Sequence, residues 1–182
     1  MSTLLWLDFE TGDLDPKESS PIEICIIETN FKGEPRCAHI SKIVPELPVS
    51  EGAAAVNGYT EEKWKEATPL KEVAERIGRV GFLSGARWAG WNIPFDLGFW
   101  NKWFAPHVSL GTTYQPVDLF GMAWPHTMHL PKISLKHTYY HFFGKELPNA
   151  HTARGDVLAC TEIYRKLLER HTSLNTEAWG SY

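Results

Sequence analysis

The chain has 182 residues, 43% of them hydrophobic and 22% charged, enough for one globular domain with a sizeable core and too ordinary for disorder or a fibrous repeat. A net charge of −4 argues against a broad basic nucleic-acid-binding face, although bound cations would reverse the charge locally for a phosphate substrate. The three cysteines, Cys25, Cys37 and Cys160, are scattered and odd in number, which fits a reducing compartment without a disulfide framework. No apolar run approaches membrane-spanning length, and Met1-Ser2-Thr3 lacks a basic leader, so the expectation is a cytoplasmic protein with no membrane partner.

The first element is a strand over Leu4-Leu5-Trp6-Leu7-Asp8-Phe9-Glu10, stopped by Thr11-Gly12-Asp13. Side chains alternate along a strand, so Asp8 and Glu10 share one face and Leu5, Leu7 and Phe9 the other. Like charges this close, in an apolar strand, raise each other's pKa, and a hard divalent cation relieves the repulsion. Taken alone, the pair fits a solvated strand end equally well.

Pro21 to Glu28 reads as a second strand, Asn30 to Glu34 as a turn and Ala38 to Val44 as a third strand, together an antiparallel meander. Pro45 and Pro48 close that block. Ser50 to Ala55 is a short helical stretch ended by Asn57-Gly58, and Thr60 caps another. Thr68-Pro69 reads as a cap followed by Pro at the first helical position, with Leu70, Val73, Ala74 and Ile77 on the buried stripe. Arg87 to Trp91 is a fourth strand, and Asn92 is placed to cap the next helix, where Phe95, Phe99 and Trp103 recur at helical spacing. Tyr114 to Val117 is a short fifth strand. Helices follow over Asp118 to Trp124, Ser134 to Phe143 (ended by Gly144) and about Thr152 to Arg170, then a polar tail from Thr172 to Tyr182. A meander followed by helix-separated strands implies a mixed α/β sheet with helices on its faces. The expected organisation is one domain over 1–182, with its core at about 4–170.

Two further acids stand in apolar surroundings. Asp96 lies in the first turn of its helix, where the helix dipole by itself would justify it. Asp156 heads the stripe Asp156, Cys160, Ile163, Leu167, a core face on which a carboxylate needs a partner. Arg154, two residues away, faces elsewhere. His151 precedes the helix and is free to swing towards a substrate. Four carboxylates suffice for two divalent ions, which about 4 Å apart clamp the attacking and leaving oxygens of a phosphodiester. A histidine titrating near neutrality can take the proton from the attacking water. The spacings of His126 with His129 and of His137 with His141 also occur in metal sites, but no nearby cysteine or carboxylate completes a zinc set.

These residues resemble the DEDDh 3′→5′ exonucleases, the proofreading exonuclease subunits and their free-standing relatives. The matching motifs are Asp8-Phe9-Glu10-Thr11, Asn92-Ile93-Pro94-Phe95-Asp96 and His151-Thr152-Ala153-Arg154-Gly155-Asp156, in the family's order, and Ala55 to Thr60 resembles its connector. The resemblance implies an RNase-H-like fold, a mixed five-stranded sheet with the Asp8/Glu10 strand central. It implies Mg²⁺ or Mn²⁺ as cofactor: Asp8 bridges two ions, Glu10 and Asp156 complete one site, and Asp96 supports the other mainly through water. His151 is then the general base. The substrate is the 3′ end of single-stranded nucleic acid, with Phe9, Thr11, Leu14, Asn92, Phe95 and Phe99 as its contacts, and the product a 5′-mononucleotide. Gly12-Asp13 departs from the family's usual Thr-Gly, and Trp91 stands where a His often precedes the Asn. DNA is the expected substrate, an exoribonuclease is the rival enzyme, and a non-catalytic nucleic-acid-binding or polymerase-partner module is the rival of another class. A polymerase or a second copy is the protein partner to consider. The chain stops soon after its last helix, which favours a free-standing enzyme.

Overall fold

The central strand, β1 (Thr3–Thr11), is apolar on both sides for most of its length and is covered on both sides. In the computed structural model the described residues are 3–178, with side chains described through 170, that of 114 excepted. β2 (Pro21–Asn30) and β3 (Pro35–Lys42) complete an antiparallel meander, while β4 (Arg87–Gly90) and β5 (Thr113–Asp118) add in parallel on the other flank. The sheet order is therefore β3-β2-β1-β4-β5. A mixed five-stranded sheet flanked by helices is the architecture expected from the sequence. No helix among the described residues is long and apolar enough to cross a membrane.

Strand alternation divides the core in two. Leu5, Leu7 and Phe9 of β1 pack with α3 (Leu70–Arg79), α4 (Ile93–Phe99) and the π-helical turn Trp100–Phe104 that continues α4. Leu4 and Trp6 face α5 (Leu119–Thr127), α6 (Leu135–Phe143) and α7 (Ala153–Ala178) instead. The Trp6 indole N–H is satisfied inside by Thr29 Oγ1 at 2.9 Å. Asp8 and Glu10 continue the α7-facing row, beyond the point where apolar residues fill it.

Short helices α1 (Glu51–Asn57) and α2 (Glu61–Trp64) lie between meander and crossover; Thr60 caps α2 as expected, and Ser50 caps α1 rather than forming its first residue. Three local expectations change. Thr68 does not cap α3: its backbone bridges to the end of β3, donating to Lys42 O at 3.1 Å, and its hydroxyl meets the Arg76 side chain at 3.4 Å rather than a backbone amide of the first turn. Asn92 adopts a left-handed backbone, φ 53°, which aims its side chain away from the α4 amides. And α7 runs past Arg170 to Ala178, because no Gly or Pro interrupts the sequence before Gly180. The expected polar tail is therefore helical as far as 178, and residues 179–182 lie outside those described.

Candidate active site

Three elements converge where β4 ends. β4 pairs with β1 only as far as Ala89 opposite Trp6, so the edge of β1 beyond that point has no strand beside it. The Phe9 amide on that stretch donates instead to Asp96 Oδ1, at 2.9 Å. A backbone donor orphaned by a short strand thus holds a carboxylate from α4 against β1. Asp96 is buried, and α4 starts where it does because Asp118 Oδ1, at the end of β5, accepts the Asn92 N–H at 3.0 Å while capping α5 through Phe120 N–H. From the opposite face, α7 brings Asp156. Carboxylate oxygens of Asp8, Glu10 and Asp156 lie within 4.8 Å of one another.

The segment leading into α7 is tightly bent. Asn149 and His151 both have left-handed backbones, φ 53° and 61°, which cost a non-glycine residue free energy unless its surroundings enforce them. Thr152 Oγ1 donates to Asn149 O at 2.8 Å and accepts from Gly155 N–H at 3.1 Å. A side chain at Gly155 would run into the Asn149 carbonyl, so the turn requires glycine there. The His151 backbone amide lies near enough to Asp156 to pull its pKa down, and the His151 side chain is exposed at the rim. Base candidate and acid therefore stand at the same end of α7.

Electrostatically the site is a concentration of negative charge in a poorly solvated place. Burial, then the charges of Asp96, Asp156, Glu10 and Glu23, pushes Asp8 well above the usual carboxylate range. Burial, with Asp156 and Glu23 next, raises Glu10 to about 8. Burial raises Asp96 to about 8 although the Phe9 N–H pulls it down, and raises Asp156 to about 7 against the His151 N–H. Asp156 Oδ1 is buried and has no hydrogen-bond partner. An orphaned carboxylate oxygen beside two more carboxylates, all hard oxygen donors, fits a divalent cation. Among the described residues these three are the only such cluster of metal-ligating side chains. His129 and His141 do meet, rings 5.1 Å apart, without a third donor to complete a set.

A cleft of about 540 Å³ opens beside the carboxylates, lined by Glu10, Thr11, Leu14, Phe95 and Asn57 among others. Leu14 is 75% exposed, and its loop is tied down at several points. Gly12 N–H bonds Ser20 O, Asn57 Nδ2 bonds Thr11 O, and the Trp103 indole N–H reaches the carbonyls of Pro16 and Ser19. The π-helical turn aims Trp103 at this loop; such turns recur at functional sites. Gly12 is cramped, since a Cβ there would sit 3.1 Å from Ser19 Oγ. Asp13 spends one oxygen on the Leu14 N–H, so the departure from the family pattern still yields an ordered loop.

The placement of the remaining expected contacts is mixed. Phe95 is half-buried in the cleft wall, Asn92 is exposed and Thr11 is buried with its hydroxyl on Asp13 O. Phe9 is buried, its ring 5.5 Å from that of Phe104, and it borders the cleft from inside the core. Phe99 is a correction: at 0% exposure, with its ring 5.2 Å from Phe95, it backs the cleft wall and has no free face for a base. Trp91 is likewise turned inward, edge-on to Phe120. Glu23 was not expected at all. It is buried and pairs across the sheet with Glu10, near the turn that precedes α7. The available signal was a pair of acids, Glu23 and Glu28, inside the isoleucine-rich second strand, but only the register brings Glu23 beside Glu10.

The family model described as Exonuclease (RNase_T) matches residues 5–164. Over 122 residues the chain is 26% identical to the PolC-type DNA polymerase III of Thermotoga petrophila, covering 67% of this chain and 9% of the polymerase, with the same figures for Thermotoga maritima. Among solved structures, one of exonuclease I superposes with a TM-score of 0.77 at 22% identity, covering 96% of this chain and 42% of that one. The exonuclease I of Methylocaldum szegediense gives 0.76 at 20% identity, with 96% and 42% covered. E. coli exonuclease I in complex with a dT13 oligonucleotide gives 0.74 at 20% identity, with 97% and 43% covered. The chain thus spans under half the length of these exonucleases and under a tenth of the polymerases, and the structural likeness is one of fold. The match of the family model over nearly the whole chain is the finding that decides descent: this chain belongs to the exonuclease family, as a member of its DEDDh type.

Proposed function

We propose that the chain is a 3′→5′ exonuclease that hydrolyses the terminal phosphodiester of single-stranded nucleic acid, DNA in preference to RNA, and releases 5′-mononucleotides. The observation that carries this is the orphaned Asp156 Oδ1 among three clustered carboxylates, with the exposed His151 on the bent segment just ahead of it. Asp8, Glu10 and Asp156 would hold the divalent cations, Mg²⁺ or Mn²⁺ and two in number, and Asp96, kept in place by the Phe9 N–H, would act mainly through water. Bound there, the cations supply charge neutralisation and a clamp on the phosphodiester oxygens. His151, exposed and on a rigidly bent backbone, takes the proton of the attacking water. Leu14 and Phe95 hold the terminal base, and stacking of this kind tolerates any sequence. Asn92 and Thr11 border the path of the sugar and phosphate.

In this reading residues 1–182 form one exonuclease domain, cored at about 4–170, working in the cytoplasm. The curated relatives are PolC-type polymerases, which makes a polymerase the first protein partner to test, ahead of a second copy. The preference for DNA draws on the oligonucleotides named in the exonuclease I structures.

The test is degradation of a 5′-labelled single-stranded DNA oligonucleotide and its RNA counterpart, with Mg²⁺, with Mn²⁺ and with chelator, beside Asp8→Ala. A ladder shortening from the 3′ end of the DNA, dependent on metal and lost in the variant, is expected. Faster shortening of the RNA would reassign the substrate, and an intact ladder-free oligonucleotide in every lane would favour a binding module.

A further inference from the structure

The loop that carries Leu14 is held from two sides. Its base is anchored towards α1: Gly12 N–H bonds Ser20 O, Ser50 N–H bonds Gly12 O and Asn57 Nδ2 bonds Thr11 O. Its far part closes on Asp15, whose carbonyl accepts the Glu18 N–H at 3.1 Å and whose carboxylate accepts the Lys17 N–H at 2.8 Å. That part meets the continuation of α4. The half-buried Trp103 places its indole N–H 3.1 Å from Pro16 O and 3.0 Å from Ser19 O, so one donor gathers both ends of the turn. Lys102 Nζ donates to Lys17 O at 2.7 Å and sits 4.6 Å from the centre of the Trp103 ring. A methyl group at Gly98 would lie 3.6 Å from Pro16 Cγ, so the proline packs directly on α4.

Both ends of this brace bear on the site. Trp103 belongs to the π-helical turn Trp100–Phe104, closed by Ala105 N–H on Trp100 O at 2.9 Å. That turn continues α4, and α4 carries Asp96, whose carboxylate is held on the Phe9 amide of β1. Leu14, at the other end, is 75% exposed, and its amide bonds the carboxylate of its own neighbour, Asp13, at 2.8 Å. A side chain so exposed is placed over the cleft by its loop rather than by packing. We propose that Trp103 is a positioning residue for the substrate: through Pro16 O and Ser19 O it fixes the Leu14 loop on the helix of Asp96. The apolar grip on the terminal base then keeps one spacing from the carboxylates. The assignment rests on the proposed function for its purpose, and on the two indole contacts for its mechanism.

Trp103→Phe keeps an aromatic ring and loses the donor. Benzothienylalanine incorporated at 103 keeps the bicyclic shape and replaces the N–H by sulfur, so it decides the question if the Phe variant does not fold. Leu14→Ala, alone and combined with Trp103→Phe, tests whether the tryptophan acts through the leucine. The readouts are KM and kcat on a single-stranded 3′ end, Mn²⁺ affinity from the electron paramagnetic resonance signal of the free ion, and hydrogen exchange of the amides over 12–20. Loss of the indole donor should raise KM about tenfold and speed exchange over 12–20, the scale of one lost hydrogen bond. Both kcat and Mn²⁺ affinity should stay within about twofold of wild type, and in the Leu14→Ala background the same change should add less than about twofold to KM. A merely structural role would lower kcat and Mn²⁺ affinity together with KM performance, and would cost as much with Leu14 absent as with it present. Either of those patterns would overturn the positioning role, as would wild-type KM and exchange in the variants. A wild-type chain that cleaves no 3′ end would overturn the proposed function and, with it, the purpose given to Trp103. A chain that cleaves, and keeps its KM without the indole donor, would overturn the positioning role alone.

Discussion

At the scale of single residues, the site's chemistry is a competition between protons and cations for the same oxygens. Asp156 is raised to about 7, and Glu10 and Asp96 to about 8, in each case first by burial. Their folded-state values exceed those of the unfolded chain, so the metal-free fold binds protons more tightly than the unfolded chain does. The stability from this linkage is complete below the ordinary carboxylate range and is lost as pH rises through 7 and 8. A chelated sample should therefore melt at progressively lower temperature between pH 6 and pH 9. Millimolar Mg²⁺ or Mn²⁺ should restore the loss, since a cation replaces the protons, and Asp156→Asn should flatten the decline. A melting temperature that stays level across that range in chelator would remove the electrostatic picture. Asp8, Glu10, Asp96 and Asp156 stood out in the sequence because carboxylates in apolar stretches are costly enough to need a reason, and the structure brings Asp8, Glu10 and Asp156 together. The place of Phe99 was not legible, since an aromatic at helical spacing reads the same whether it lines a cleft or backs one.

Elements position the site through their ends. β4 stops early and leaves the Phe9 amide for Asp96, α4 begins where Asp118 receives the Asn92 amide, and α7 begins after a turn that only Gly155 allows. Gly155→Ala tests the last of these. The added methyl meets Asn149 O and lies 2.8 Å from Thr152 Oγ1, so the turn must open. A loss of about 2 kcal/mol or more in stability is expected, as for an overpacked site. Exonuclease activity should fall by about a hundredfold or more, in line with the cost of a 1 Å displacement of a catalytic group. Denaturant melts and a 3′-end assay read the two effects, and a variant with wild-type values in both would show that the turn tolerates a side chain. The helices and strands themselves follow from periodicity and caps: Thr60 caps as its sequence position predicts, and Ser50 and Ser134, expected within their helices, stand one step outside as caps. Thr68 and Asn92 do not, because a backbone bridge to β3 and a left-handed turn override local propensity.

For the whole molecule, charge and function meet in one consequence. A chain of net charge −4, with four carboxylates converging beside its cleft, repels the phosphates of a nucleic acid, most strongly once pH exceeds about 8 and those carboxylates ionise, until cations occupy the site. Binding of a fluorescent single-stranded oligonucleotide, followed by anisotropy, should be undetectable in chelator and appear with Ca²⁺, an ion of the same charge and ligand preference. Equal binding in both conditions would place the affinity on a surface away from the carboxylates. The sequence by itself determined the strand and helix inventory, the two apolar faces of the central strand and the acids that needed a cation. These are one-dimensional signals, carried by periods of two and 3.6 residues and by the cost of charge among apolar neighbours. Only the tertiary structure decided which acids meet, that Glu23 joins them from the second strand, and that Phe99 stays inside. Those outcomes depend on strand register and on where a strand runs out, and both are settled by the packing of segments far apart in the chain.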